Sequence, residues 1–174
     1  MEKVLEAVRA LIATTPERWT SMVQALPVEL LTRPAAEGEW SAVECLQHMA
    51  DTEKVFQFRV QAFLAGTDFP GFNPDEEGTQ PGVQSPLALA KEFTRLRGES
   101  LQMLEKLTPA DLGRKARHAE LGMVTLSEMV HEWAAHDLNH TVQAERALMQ
   151  PFLQGCGPWI KYFTDHLIVE GKKS

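Results

Sequence analysis

Apolar residues recur at three- and four-residue intervals in four stretches of the chain, the spacing that lines up side chains on one face of an α-helix. The first stretch, residues 2–26, carries Val4, Val8, Ile12, Thr15, Trp19 and Met22 on its stripe and is closed by Pro27. The second opens at Ser41 and runs through Leu46, Met49, Glu53, Phe56, Val60 and Phe63 to about Gly66. The third starts at Ser85-Pro86 and continues through Leu89, Phe93, Leu96, Ser100, Met103 and Leu107. The fourth opens at Thr125, carries Leu126, Met129, Trp133, His136, His140, Gln143 and Ala147, and is expected to stop at Pro151. Residues 158–169, PWIKYFTDHLIV, predict a short fifth helix. No run alternates apolar and polar residues over a strand's length, so no sheet is expected.

Local signals support these starts. SAVE (residues 41–44) and TLSE (125–128) are capping boxes, in which the first side chain caps the helix and the glutamate reaches back to the cap amide. Trp40 and Cys45 flank the first box at hydrophobic-staple positions, and Pro86 suits a first helical turn. The stretches 27–40, 67–84 and 108–124 read as loops, because no helix could bury its stripe alone. The fold class is therefore all-α: a single four-helix-bundle domain spanning 1–174, with a short C-terminal helix. The connection 67–84 exceeds the two to eight residues usual between bundle helices. It allows a crossover and hence an up-down-down-up order, with the second and fourth helices antiparallel.

Composition narrows the partners. A formal charge of -7 and the absence of any Lys/Arg run argue against nucleic acid. No apolar run approaches the roughly 18 residues of a membrane span, and the first residues read as an amphipathic helix rather than a signal peptide. Two cysteines, Cys45 and Cys156, are too few for a disulfide framework. A cytoplasmic protein without membrane or nucleic-acid partners is the expectation.

The candidate chemistry lies in HDLNH, residues 136–140. His136 and His140 occupy successive inward positions, and Asp137, four residues after Trp133, also points into the apolar arc. Ionisable groups on a buried face need partners, and a divalent metal would take two neutral imidazoles and a nearby carboxylate. The competing reading is a pair of core histidines hydrogen-bonded to other helices. His48 and Glu53 on the second helix are the candidate further ligands. His48 lies about 10 Å into its helix and His140 about 15 Å from the end of its own, so antiparallel helices bring them within about one turn of each other. His118, in the charged segment RKARHAE, is expected to be solvated, and His131 to face outward. The phase of His166 is not fixed by the sequence.

HDLNH differs from the zinc-protease signature HExxH by an aspartate one methylene too short, and no edge strand for a peptide substrate is evident. Cys45, one turn before His48, is a possible thiolate ligand but reads better as a small core residue.

GEWSAVECLQHMADTE (residues 38–53) resembles the second-helix signature of the DinB/YfiT-like superfamily, and TLSEMVHEWAAHDLNHTVQAERAL (125–148) resembles its last-helix signature. This is the damage-inducible bacterial metalloprotein family, not the DNA polymerase of similar name. The resemblance implies an up-down-down-up four-helix bundle, frequently a homodimer, holding a divalent metal through His48, His136 and His140. It also implies enzymatic relatives of two kinds: metal-dependent hydrolases, and transferases or isomerases that use low-molecular-weight thiols such as bacillithiol or mycothiol.

Three histidines would leave coordination positions open for water, substrate or a thiol cosubstrate. Zinc suits imidazole, and nickel, iron, cobalt and manganese also accept it. Asp137 and Glu53 are the candidate bases or ligand-orienting carboxylates, and Asp51 a weaker one because it points away from the seam. The expectation is an enzyme acting on a small molecule, with a metal-binding sensor or dimeric scaffold as the alternative.

Overall fold

A computed structural model describes residues 2–79, 82 and 84–168. Its helices are α1 (Glu2–Ala25), α2 (Val28–Leu31), α3 (Ala42–Ala65), α4 (Pro74–Glu77), α5 (Pro86–Glu105) and α6 (Leu126–Gly155). The long helices α1, α3, α5 and α6 are the four periodic stretches. Ser41 and Thr125 each form the full capping box, and the Ser85 side chain caps α5 with Pro86 in its first turn. Gly66 ends α3 in the left-handed conformation, which glycine adopts without a Cβ penalty.

Helix directions follow from two apolar clusters. One combines Leu5, Val8 and Ile12 of α1 with the end of α3 (Phe56, Val60, Phe63), the end of α5 (Leu104) and the start of α6 (Leu126, Met129, Trp133). The other combines Trp19 of α1 with the start of α3 (Cys45, Leu46, Met49), the start of α5 (Leu89, Phe93) and Ala144 of α6. Each helix therefore passes from one cluster to the other, α1 and α6 in one direction and α3 and α5 in the opposite one. This is the up-down-down-up order, with α3 antiparallel to α6.

Between the clusters lies a buried polar layer with one centre, Arg97 of α5, which is 0% exposed. Its guanidinium donates to Asp137 through two hydrogen bonds of 2.6 and 2.7 Å and to Glu53 Oε1 at 2.6 Å. Ser100 donates to the other Glu53 oxygen, Trp133 Nε1 to Glu53 Oε1, and Thr15 to Asp137. A further Arg97 N–H donates to the Ile12 carbonyl at 2.7 Å. Pro16 sits inside α1. It has no N–H to return to the carbonyl four residues earlier, so the Ile12 oxygen is left for Arg97.

Several expectations are corrected. The segment 108–124 is not all loop: β1 (Lys115–His118) pairs antiparallel with β2 (Gly122–Thr125), and a 3-10 turn spans Asp111–Gly113. In β1 the inward residues are Ala116 and His118, so the alternation carries almost no apolar signal. Pro151 does not stop α6, which continues to Gly155 with Leu153 buried. The C-terminal helix takes the form of two 3-10 turns, Gly157–Tyr162 and Thr164–His166, and residue 169 of the expected span lies outside the described residues. Gln150 ties this segment to α6 through the His166 carbonyl and the Ile168 amide. Among the described residues no helix is long and apolar enough to cross a membrane.

The crossover from α3 to α5 climbs the outside of the α3–α6 pair. Near its start Phe69 exchanges backbone hydrogen bonds with Arg117 and Ala119 at the hairpin. Further on, Thr79 donates its amide and hydroxyl to Asp51, each at 2.8 Å. Asp51 thus pins the crossover, in keeping with its expected direction away from the seam.

Candidate metal centre

His48, His136 and His140 meet between α3 and α6, each offering one ring nitrogen within 4.8 Å of the other two. The antiparallel pairing set by the crossover brings them to one height. The Nε2 atoms of His48 and His136 face each other at 3.0 Å, and the His140 ring centroid lies 4.4 Å from each of the other two. Two nitrogens bound at about 2.1 Å to one ion, at right angles, would lie about 3.0 Å apart. The residues present therefore fit a divalent ion.

The ring environments favour the neutral imidazole that a metal needs. Burial pushes the His48 pKa down to about 4, with the nearby His140 adding to the shift and Asp51 opposing it. His136 is pushed to about 2 by burial first, then by His140 and His48. Burial also lowers His140, against the opposing effects of Gln143 and Asp137. His140 Nδ1 pairs with Gln143 Oε1 at 2.8 Å, which leaves its Nε2 for the shared point and fixes the ring. Trp40 stacks on His140 with centroids 5.8 Å apart, and Phe56 meets His136 edge-on. The Nδ1 of His136 is buried without a hydrogen-bond partner.

Neither carboxylate singled out in the sequence joins the histidines. Asp137 and Glu53, each 1% exposed, direct their oxygens at Arg97 and its neighbours. The charge that seemed to require a metal at Asp137 is met instead by an arginine from a third helix. Cys45 is fully buried and its thiol is pushed up to about 12 by burial, with Glu44 adding to the shift. It is a core residue and supplies no thiolate at neutral pH. His131 is exposed and bonds the Ser127 carbonyl within its own helix, and His166 lies in the terminal 3-10 turns.

A cavity of about 400 Å³ opens beside the histidines. Its wall is largely apolar, with Val55, Phe56, Phe69, Phe72, Val124 and Met129 among the lining residues. Polar groups also line it: Arg59, His118, Glu120, Glu128 and Glu132. Glu132 lies one turn before His136 on α6; its side chain is exposed where it lines the cavity, and the surrounding protein still raises its carboxyl above the usual range, against the pull of Arg59. His118, expected to be solvated, is only 7% exposed. Sequence reasoning missed Arg59, Glu132 and the placement of His118. The positions of Glu132 and His136, one turn apart on one helix face, were the available signal.

A family model described as the DinB superfamily matches residues 11–144. Among solved structures, YfiT from Bacillus subtilis, described as a probable metal-dependent hydrolase with an unusual four-helix bundle topology, superposes with a TM-score of 0.75 at 16% identity. That match covers 85% of this chain and 87% of YfiT. A DinB-like protein from the same organism, YjoA, superposes with a TM-score of 0.58 at 17% identity, covering 83% of this chain and 91% of YjoA. A search of curated proteins gives no match. At these identities the structural likeness speaks for the fold, and the family model, which spans most of the helical bundle, speaks for descent. The chain belongs to the DinB superfamily.

Proposed function

We propose that this protein is a metal-dependent hydrolase of small molecules, with His48, His136 and His140 as the ligands of a divalent ion. The observation that carries the reading is the convergence of three neutral imidazoles at the edge of a largely apolar cavity. Its volume, about 400 Å³, falls within the range of small-ligand sites. The likeness to YfiT points the same way.

A divalent ion held by His48, His136 and His140 would supply Lewis acidity and make water more acidic near neutral pH. Gln143 holds His140 in orientation, and Trp40 and Phe56 fix the rings by packing. Glu132 is the proposed proton acceptor, since it lines the same cavity and its raised pKa brings it closer to the operating range of a general base. Glu53 and Asp137, held by Arg97, serve the scaffold. The apolar wall accommodates the body of the substrate and limits water.

Metal analysis of the purified protein beside His48→Ala and His140→Ala tests the ligand set. Bound divalent ion in the wild type and its loss from both variants is the expected result, and full occupancy in either variant would sink the assignment. Activity is then sought on a panel of esters and amides, with and without added small thiols. Metal-dependent cleavage that needs no thiol and is lost in Glu132→Gln, with metal retained, supports the hydrolase. Turnover that requires one particular thiol would replace hydrolysis with thiol transfer at the same centre.

A further inference from the structure

The cavity has a second polar pole, and its hydrogen-bond chemistry is unbalanced. His118 Nδ1 accepts from the backbone amides of Glu120 and Leu121, at 3.1 and 3.3 Å. An imidazole nitrogen that accepts from N–H groups carries no proton, so in the neutral ring the proton sits on Nε2. That Nε2–H faces Arg59 Nη2 at 3.4 Å. Arginine has only donors, so these two groups present N–H to N–H with nothing between them to accept.

Both groups are held in this relation. Arg59 lies over the Phe69 ring, its guanidinium carbon 5.7 Å from the centroid, and the His118 ring meets the same phenyl edge-on at 5.4 Å. Phe69 and His118 are further fixed by an isolated parallel bridge between crossover and hairpin. Arg59 Nε is buried with no hydrogen-bond partner. Among the described residues no carboxylate forms an ion pair with Arg59. Glu132 and Glu120 act on Arg59 through their charges without pairing with it, and Glu120 turns its carboxylate toward Gly71, where it leaves no room for a Cβ.

We propose that Arg59 and His118 form a subsite for the carboxylate of the substrate, one oxygen of which accepts from both Arg59 Nη2 and His118 Nε2. Arg59 follows His48 by eleven residues on α3, about three helical turns, so this subsite and the histidine cluster stand at separate ends of one cavity. The substrate class is then a small molecule with an apolar body, a carboxylate at one end and the reacting group at the other. A singly charged carboxylate suits the site better than a phosphate dianion, because Glu120, Glu128 and Glu132 line the same space and repel the second charge. This assignment of substrate class rests on the proposed metal-dependent reaction, whereas the anion subsite itself does not.

The test is a titration of ¹⁵N-labelled protein with sodium acetate at constant ionic strength, read at the His118 ring nitrogens, with the metal removed and again with it bound. Inorganic phosphate is titrated in parallel. The expected result is a saturable shift of His118 Nε2 by acetate in both metal states, and at least tenfold weaker binding in Arg59→Met. Arg59→Lys keeps a positive charge on the same helix position and is expected to weaken binding several-fold, which serves if the methionine variant does not fold. An unmoved His118, affinity unchanged by either variant, or tighter binding of phosphate than of acetate would overturn the proposal. Acetate binding to a protein that takes up no metal would sustain the subsite while the metal-dependent reaction failed. Acetate binding that needs metal and ignores Arg59 would do the reverse.

Discussion

Replacing Arg97 by methionine tests whether the polar layer is a compensated charge network of the scaffold or part of the reactive site. The substitution keeps much of the aliphatic stem but removes the donors that serve Asp137, Glu53 and the Ile12 carbonyl. Both carboxylates are 1% exposed, so water cannot take the place of the guanidinium without opening the bundle. Burial works against the charge of Arg97, yet the hydrogen bonds and charges of Asp137 and Glu53 outweigh it and hold its pKa above the ordinary arginine value. Removing one member of a buried ion pair costs about 3–5 kcal/mol, a large part of a domain's usual 5–15 kcal/mol. With an m-value near 2 kcal/mol/M, the urea midpoint should fall by about 2 M.

Equilibrium unfolding of Arg97→Met, Asp137→Asn and the double variant separates the pair from its surroundings. Once Arg97 is gone, removing the Asp137 charge relieves part of the damage, so the double variant should lose about 2 kcal/mol less than the sum of the single ones. Additive losses, or an Arg97→Met penalty below about 1 kcal/mol, would refute the network as a compensated ion cluster. Metal content supplies the functional half of the test. Asp137→Asn is expected to retain its metal, because its carboxylate faces Arg97 rather than the histidines; loss of metal with the fold intact would restore Asp137 as a partner of the centre.

Three further outcomes follow from the same geometry. Pro16→Ala restores an N–H opposite the Ile12 carbonyl, which has lone pairs for both this donor and Arg97, and should raise stability by about 1 kcal/mol or more; a lower melting temperature would contradict it. Burial, and then the charge of Arg59, lower the His118 pKa from the ordinary 6.5. With the folded pKa below the unfolded one, the contribution of His118 to stability is complete above about pH 6.5 and declines as the pH falls below it. A proton NMR titration of its ring should show a midpoint under 6.5. Asp51→Ala removes both acceptors for Thr79 and should speed amide exchange and proteolysis in the crossover, with global stability changed by about 1 kcal/mol or less; unchanged exchange at Thr79 would refute the pin.

What the sequence revealed and what it concealed divide along the range of the interactions. Capping boxes, helix phases and the inward position of the histidines depend on residues three or four apart, and each was visible in the string. The hairpin was not, because its buried positions are filled by Ala116 and His118, so the apolar alternation that marks a strand is missing. The helix also continues past Pro151, where burial of Leu153 and the Gln150 contacts with the terminal segment favour continuation.

Arg97 is the most instructive case. Glu53, Ser100 and Asp137 all lay on inward stripes, and two buried carboxylates demand positive charge. A metal was the economical answer so long as Asp137 was weighed only with its histidine neighbours on the same helix. Antiparallel registration of α3 with α6, and the direction of α5 alongside α3, places Glu53, Asp137 and Arg97 at one height between the two apolar clusters. The bundle thus separates two charge problems that are adjacent in sequence. Asp137 turns toward α5 and is neutralised by arginine, while His136 and His140 turn toward α3 and the cavity, where burial keeps the imidazoles neutral and free to accept a metal. One residue of helical rotation decides which chemistry each side chain enters, and that rotation is set by packing on three helices rather than by the motif itself.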